Sequence, residues 1–239
     1  MGVLLLNLSG PLQSWGDGSR YTQRLTRHEP TKSGVVGLLA SALGRSREED
    51  VSDLVSLEFA VRTDQAGTLV RDYQTAKPRK GNALPVSNRF YLADARFLAA
   101  LSGPDELLLG LDDALRAPVW PLFLGRRSCP ADPPVSLGVA DGCADVREAL
   151  AAHPWLASDW YRERAARTGV TTLEVTADAR SGERGEGQND LPLSFSREGR
   201  KYAKRAVVRY RVPIPDGSET KAGRSGTAAD VPEHDPMGF

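Results

Sequence analysis

The chain opens with Val3–Leu8, an apolar run whose hydrophobic positions fall on both faces of an extended segment. A strand covered on both sides buries such a pattern, so a central strand is expected. A long polar connection, Ser9–Pro30, follows. Thr31 or Ser33 then caps a helix to about Leu43, with Val35, Leu38, Leu39, Ala42 and Leu43 as its apolar stripe. Gly44 closes it. Gly34, Gly37, Ser41 and Gly44 form a second stripe of very small residues on the same helix. Each interior glycine costs about 1 kcal/mol against alanine. The stripe therefore implies close packing by a strand of the same chain or by a partner.

Further along, Leu57–Thr63 and Thr68–Tyr73 flank Asp64-Gln65-Ala66-Gly67 and read as a hairpin. Gln74–Ser87 is polar, basic and broken by Pro and Gly, the composition of a projecting excursion. Phe90–Leu98 alternates like a strand. Pro104-Asp105-Glu106 starts a helix through Arg116 with Leu108, Leu111 and Leu115 inward. Trp120–Leu124 is a short strand candidate. The order is that of the βαββαβ ferredoxin-like plan, which RNA-binding RRM domains share.

After Cys129 the texture changes. Pro130, Pro133 and Pro134 mark a boundary, giving a ferredoxin-like domain over 1–129 and a small β-rich domain over 130–239. The fold class expected is α+β. Asp145–His153 reads as a short helix, and Val170–Thr176 and Ala206–Pro213 as strands. Asp178–Asp190 lacks apolar residues and is expected to be disordered, as is the tail from Pro215. No internal repeats are visible.

Net charge is zero, with 31 basic and 31 acidic residues, so overall charge gives no pull toward nucleic acid. Its distribution does. Lys and Arg concentrate in residues 1–47, 71–97, 116–129 and 197–211, and the acids lie mostly between these runs. A neutral protein with segregated charge can present a basic groove. Cys129 and Cys143 match no metal or redox spacing and suit reduced thiols in a cytoplasmic protein. No stretch approaches the roughly 20 apolar residues of a membrane span. The first eight residues lack the features of a signal peptide.

The segment "EPTKSG" invites comparison with a phosphate-binding P-loop, but the Gly-rich turn before the lysine is missing, which argues against nucleotide hydrolysis. What remains is a helix N-terminus with Lys32 and Ser33, a chemistry suited to an RNA phosphate. Trp15 and Tyr73, near Arg in polar sequence, suit base stacking, and Arg20 lies in the same polar loop as Trp15. "GRRSC" sets Arg126 and Arg127 on a glycine turn. "SNRFYL" sets Asn88 and Arg89 where the excursion rejoins a strand. No carboxylate or Cys/His cluster suggests a metal, and no cofactor is implied. Of the three histidines only His28 is near the basic loop, so a metal-independent ribonuclease is a weaker reading. A protein-only adaptor is a third.

The motifs "PLQSWG", "PTKSGVVGLLASALG", "DYQT", "SNRFYLADARFL" and "PVWPLFLGRRSC" resemble, in order, those of the CasD family. These are RAMP subunits of the type I-E CRISPR Cascade complex. The resemblance covers about residues 3–130 and is loose beyond. It implies a ferredoxin-like domain with a projecting thumb, followed by a small β-rich domain. It also implies a non-catalytic subunit that holds the five-prime handle of the CRISPR RNA. Such subunits cap the CasC backbone filament and contact the large CasA subunit. The thumb would correspond to about 74–88, with Lys77, Arg79 and Lys80 meeting a partner, and the RAMP glycine loop to Leu124–Ser128. The family commonly has His after Asp-Tyr; here the residue is Gln74, which removes a candidate acid–base group. Related type I-C proteins cut CRISPR RNA precursors, whereas in type I-E systems a separate subunit cuts.

Overall fold

In a computed structural model of the chain, residues 2–16, 22–75, 85–140 and 142–215 are described. Strand β1 (Gly2–Ser9) is followed by the short strands β2 (Leu12–Gln13) and β3 (Gln23–Arg24), then by helices α1 (Lys32–Ala42) and α2 (Ser52–Val55). Next come β4 (Glu58–Gln65), β5 (Thr68–Gln74), β6 (Ser87–Ala93), β7 (Arg96–Gly103), α3 (Asp105–Arg116) and β8 (Ser136–Ala140). The rest holds α4 (Val146–Ala152), α5 (Asp159–Thr168), β9 (Thr172–Asp178), β10 (Glu186–Ser194) and β11 (Lys201–Pro213).

One seven-stranded sheet, in the order β10-β11-β9-β4-β7-β1-β8, organises the fold, and every neighbouring pair in it is antiparallel. Its β4-β7-β1-β8 portion, with crossover helices α1 and α3, has the ferredoxin-like strand order. One face packs Leu4, Leu6, Leu8, Phe59 and Phe97 against α1 and α3. The other packs Val3, Leu5, Leu98 and Ala100 against Val146, Ala149 and Leu150 of α4. The sheet is thus covered on both sides, which is why β1 is apolar on both faces. Thr31 caps α1, its hydroxyl accepting from the Gly34 N–H, and Leu108, Leu111 and Leu115 are the buried face of α3.

The fold is α+β with a β-rich C-terminal part, as expected, but several expectations need correction. The fourth ferredoxin strand is β8, paired with β1, and not Trp120–Leu124; Trp120 is exposed. The boundary expected at 129/130 therefore falls inside the ferredoxin-like unit. Strands β9, β11 and β10 extend the same sheet from the β4 edge, so the C-terminal strands form no separate sheet among the described residues.

The predicted hairpin also divides. β4 stays in the main sheet, while β5 pairs with β6 in a second, four-stranded sheet whose other edge carries β2 and β3. Gly67 makes the corner with φ of 71°, and a Cβ there would lie 2.7 Å from the Ala93 carbonyl oxygen. The Phe90–Leu98 strand breaks at Asp94, φ 57°, into β6 and β7. The excursion leaves from the open end of the β5–β6 pair; its residues 76–84, with Lys77, Arg79 and Lys80, lie outside the described residues, as do Arg20 and the tail from 216.

Asp178–Asp190, expected to be disordered, is ordered. It contains the end of β9, a turn and half of β10, and Asp190 is wholly buried. Its polar residues are consumed by internal ion pairs. Asp190 takes Arg205 at 2.7 Å, and Asp178 takes both Arg205 at 2.5 Å and Lys32 at 2.9 Å. Two cations face two carboxylates, an arrangement that satisfies buried charge.

Candidate nucleic-acid interface

The small-residue face of α1 is one wall of a large cleft of about 870 Å³. The loop after β2, strand β3, the glycine turn at Gly125 and the segment between β10 and β11 form the rest. Two ends of the small stripe are filled from within the chain. A Cβ on Gly34 would lie 2.7 Å from the Trp15 ring, and one on Gly44 would lie 2.8 Å from Val119. Between them Gly37 and Ser41 face the cleft.

Among the described residues five arginines line this space, Arg24, Arg45, Arg47, Arg126 and Arg200, and no Asp or Glu does. They come from three of the four basic runs seen in the sequence. Arg45 is held by a bidentate contact to Asp53 at 2.6 and 2.5 Å, and that hydrogen bond raises its already high pKa. Among the described residues Arg24, Arg47 and Arg200 have no ion-pair partner. A concavity lined by arginines without paired carboxylates focuses positive potential.

Arg126 is fixed by two contacts of its guanidinium. Its Nη2 donates to the Arg24 carbonyl at 2.8 Å, and its guanidinium lies 4.7 Å from the Tyr91 ring centroid. Its Nη1 is buried with no acceptor. The backbone that carries it depends on Gly125, φ 82°, where an added Cβ would overlap the Ser14 carbonyl oxygen. Arg89, in register with Arg24 on one side and Asp72 on the other, also has a buried Nε without an acceptor. Buried donors without acceptors beside uncompensated arginines suit an anionic ligand.

Of the remaining sequence-expected residues, Ser33 lines the cleft but is buried, its hydroxyl donating to Thr31 Oγ1 at 3.4 Å. Arg127 is exposed on the glycine turn. Tyr73 is 68% exposed and sits opposite Asn88 at the base of the excursion, outside the cleft lining. Two expected contacts are overturned. Trp15 is fully buried, with its Nε1 donating to Gln13 Oε1 at 3.0 Å, so its ring is a core element under Gly34 and no stacking platform. Lys32 is buried too, its Nζ donating to the Leu57 carbonyl at 2.7 Å and pairing with Asp178. The helix N-terminus itself is taken, because the Lys32 N–H donates to Asp190 at 2.8 Å.

Reasoning from local sequence missed Arg24, Arg45, Arg47, Arg200 and Tyr202 as cleft residues. The signal was present in the basic runs 1–47 and 197–211, but nothing local distinguishes a groove arginine from a solvated one. His28 is exposed and is not among the lining residues. His153 lies behind the sheet beside α4, where burial pushes its pKa down. Both cysteines are free thiols, and burial raises the Cys129 pKa. No described helix is long and apolar enough to cross a membrane.

Residues 3–208 match the family model described as CRISPR-associated protein (Cas_Cas5). The chain belongs to this Cas5 family. This Cas5-family chain is 34% identical over 182 residues to the CRISPR system Cascade subunit CasD of Escherichia coli, covering 67% of this chain and 80% of that one. Among solved structures, one titled "Crystal structure of Cas protein" has a TM-score of 0.71 and 40% identity, covering 90% of this chain and 98% of the other. Another, a CRISPR RNA-guided surveillance complex, has a TM-score of 0.70 and 32% identity, covering 92% and 95%. In this Cas5-family chain the glycine turn and the ferredoxin-like sheet that supports it both fall within the matched residues.

Proposed function

We propose that this Cas5-family chain is a CRISPR RNA-binding subunit of a Cascade-type surveillance complex. It holds the single-stranded five-prime handle of the guide RNA in the arginine-lined cleft and does not cut it. The observation that carries this reading is the cleft lining, five arginines with no carboxylate among the described residues. Single-stranded RNA needs cations along a groove and room for its bases, and needs no helix dipole to be free. The segment of about 74–88, which joins β5 to β6 in the sequence, would meet the CasC-type backbone subunit, with the CasA-type large subunit as a further neighbour. The complex would act in the cytoplasm, where the guide RNA is made.

The test is RNA–protein crosslinking in the assembled complex, with a photoreactive nucleotide in the handle. Crosslinks to this subunit at the glycine turn are the expected result. A fully assembled complex with no crosslink to this subunit would reduce it to a protein adaptor. Incubating the purified chain with repeat RNA in EDTA separates holding from cutting. Cleavage that is lost on His28→Ala would replace the binding reading with the ribonuclease one.

A further inference from the structure

The cleft has a wall that lies late in the chain, hairpin β10–β11. Phe195, just after β10, reaches toward α1 at Gly37, where an added Cβ would lie 3.9 Å from its ring. Arg200, just before β11, and Tyr202, at its start, line the same cleft as Arg126 on the glycine turn. Tyr202 is 36% exposed, and Arg200 has no ion-pair partner among the described residues. An open tyrosine beside an uncompensated arginine is the pairing that grips one nucleotide, ring on base and guanidinium on phosphate.

The hairpin is held rigidly in this place. Arg205 on β11 and Asp190 on β10 are joined by bonds of 2.7 and 3.0 Å, and Asp190 also accepts the Lys32 N–H. The hairpin is therefore fastened to the first turn of α1, the helix whose small-residue face is another wall of the cleft. A preformed gap between two fixed walls spares the ligand the cost of ordering one of them.

We propose that the β10–β11 hairpin is the second wall of the single-stranded RNA site, stacking one base on Tyr202 and taking its phosphate on Arg200. This rests on the RNA reading of the cleft. The strand would pass between the hairpin and the glycine turn, touching Arg126 on the far side.

The test titrates the full-length chain with a short, fluorescently labelled single-stranded RNA over a series of salt concentrations, with circular dichroism confirming that each variant is folded. Tyr202→Ala should weaken binding about tenfold, the size of one lost base stack, and Tyr202→Phe should restore it. Arg200→Ala should lower the slope of log affinity against log salt by about 0.7. If both hairpin variants bind like the unaltered chain while Arg126→Ala binds weakly, the hairpin is no wall of the site and the cleft reading stands. If Arg126→Ala also binds normally, or the unaltered chain does not bind, the RNA reading of the cleft falls with it. A hairpin variant that keeps its RNA affinity but drops out of the assembled complex assigns this wall to a protein partner and overturns the proposal.

Discussion

The backbone N–H of Lys32 donates to Asp190 Oδ2 at 2.8 Å, across 158 residues of sequence. The first turn of α1 thus meets its anion inside the chain. Helix N-termini favour negative charge because their N–H groups are unpaired and the helix dipole is positive there. Here a carboxylate from β10 supplies it, and Arg205 balances that carboxylate on its other side. The chemistry read from "EPTKSG" is correct in kind, and the anion is a side chain of the same protein.

Asp190 should accordingly be a stability residue. Asp190→Ala leaves Arg205 with only Asp178 as a carboxylate partner, and removing one member of a buried pair costs about 3–5 kcal/mol. Urea denaturation should show this loss. Lys32→Ala should also destabilise, since it strands part of Asp178, yet leave the salt slope of RNA binding unchanged in protein that remains folded. A reduced slope with normal stability would return Lys32 to the RNA surface.

Trp15 should likewise answer to stability. Its ring occupies the slot that Gly34 leaves open, and it is wholly buried. Trp15→Ala should cost about 3–5 kcal/mol, the usual range for emptying a large aromatic site. Gly34→Ala should also destabilise, because its methyl meets the ring at 2.7 Å. Chemical denaturation of the two single variants and the double variant checks this. If Gly34→Ala is harmless alone, the ring does not fill the slot.

Much of the fold was legible in the sequence where one element carries its own signal. β1 announces a two-sided strand, Leu108, Leu111 and Leu115 mark the inner face of α3, and Thr31 marks the start of α1. Expectation failed where the deciding partner is distant. Asp178–Asp190 lacks apolar residues and so reads as disorder, but its carboxylates neutralise Lys32 and Arg205 in other elements. β8 was missed because it is only five residues long and bends at Gly138, φ 93°. Trp15 sits in polar sequence, and the glycine that buries it lies on the next helix. The basic runs foretold a groove; which arginines face it depends on the sheet order.

His153 provides a pH test behind the sheet. Burial lowers its pKa below the ordinary 6.5, and of the charged groups beside it, Arg62 lowers it further while Asp64 raises it. Its Nδ1 donates to the Pro154 carbonyl at 2.9 Å, which the neutral ring satisfies. With the folded pKa below the unfolded one, the unfolded chain binds the proton first as pH falls. The stability from this site is complete above 6.5 and is lost as pH drops through the folded value. Thermal melts between about pH 7 and pH 5 should show a decline that is smaller in His153→Gln. An equal decline in both proteins would mean that His153 contributes none of it.

Gly125 links the stability of the turn to its function. Its φ of 82° disfavours any side chain by about 1–2 kcal/mol. A Cβ would in addition overlap the Ser14 carbonyl oxygen, so the turn must move away from the loop after β2. That movement carries Arg126 off the Tyr91 ring and away from the Arg24 carbonyl, the two contacts that aim it into the cleft. Gly182 is the control, since its φ of 86° is equally strained but an added Cβ meets nothing within 4 Å. Gly182→Ala should lose only stability, with RNA affinity kept. Gly125→Ala should lose both, its RNA affinity falling at least as far as that of Arg126→Ala. If the two glycine variants have the same RNA affinity, the glycine turn does not aim Arg126 at the RNA.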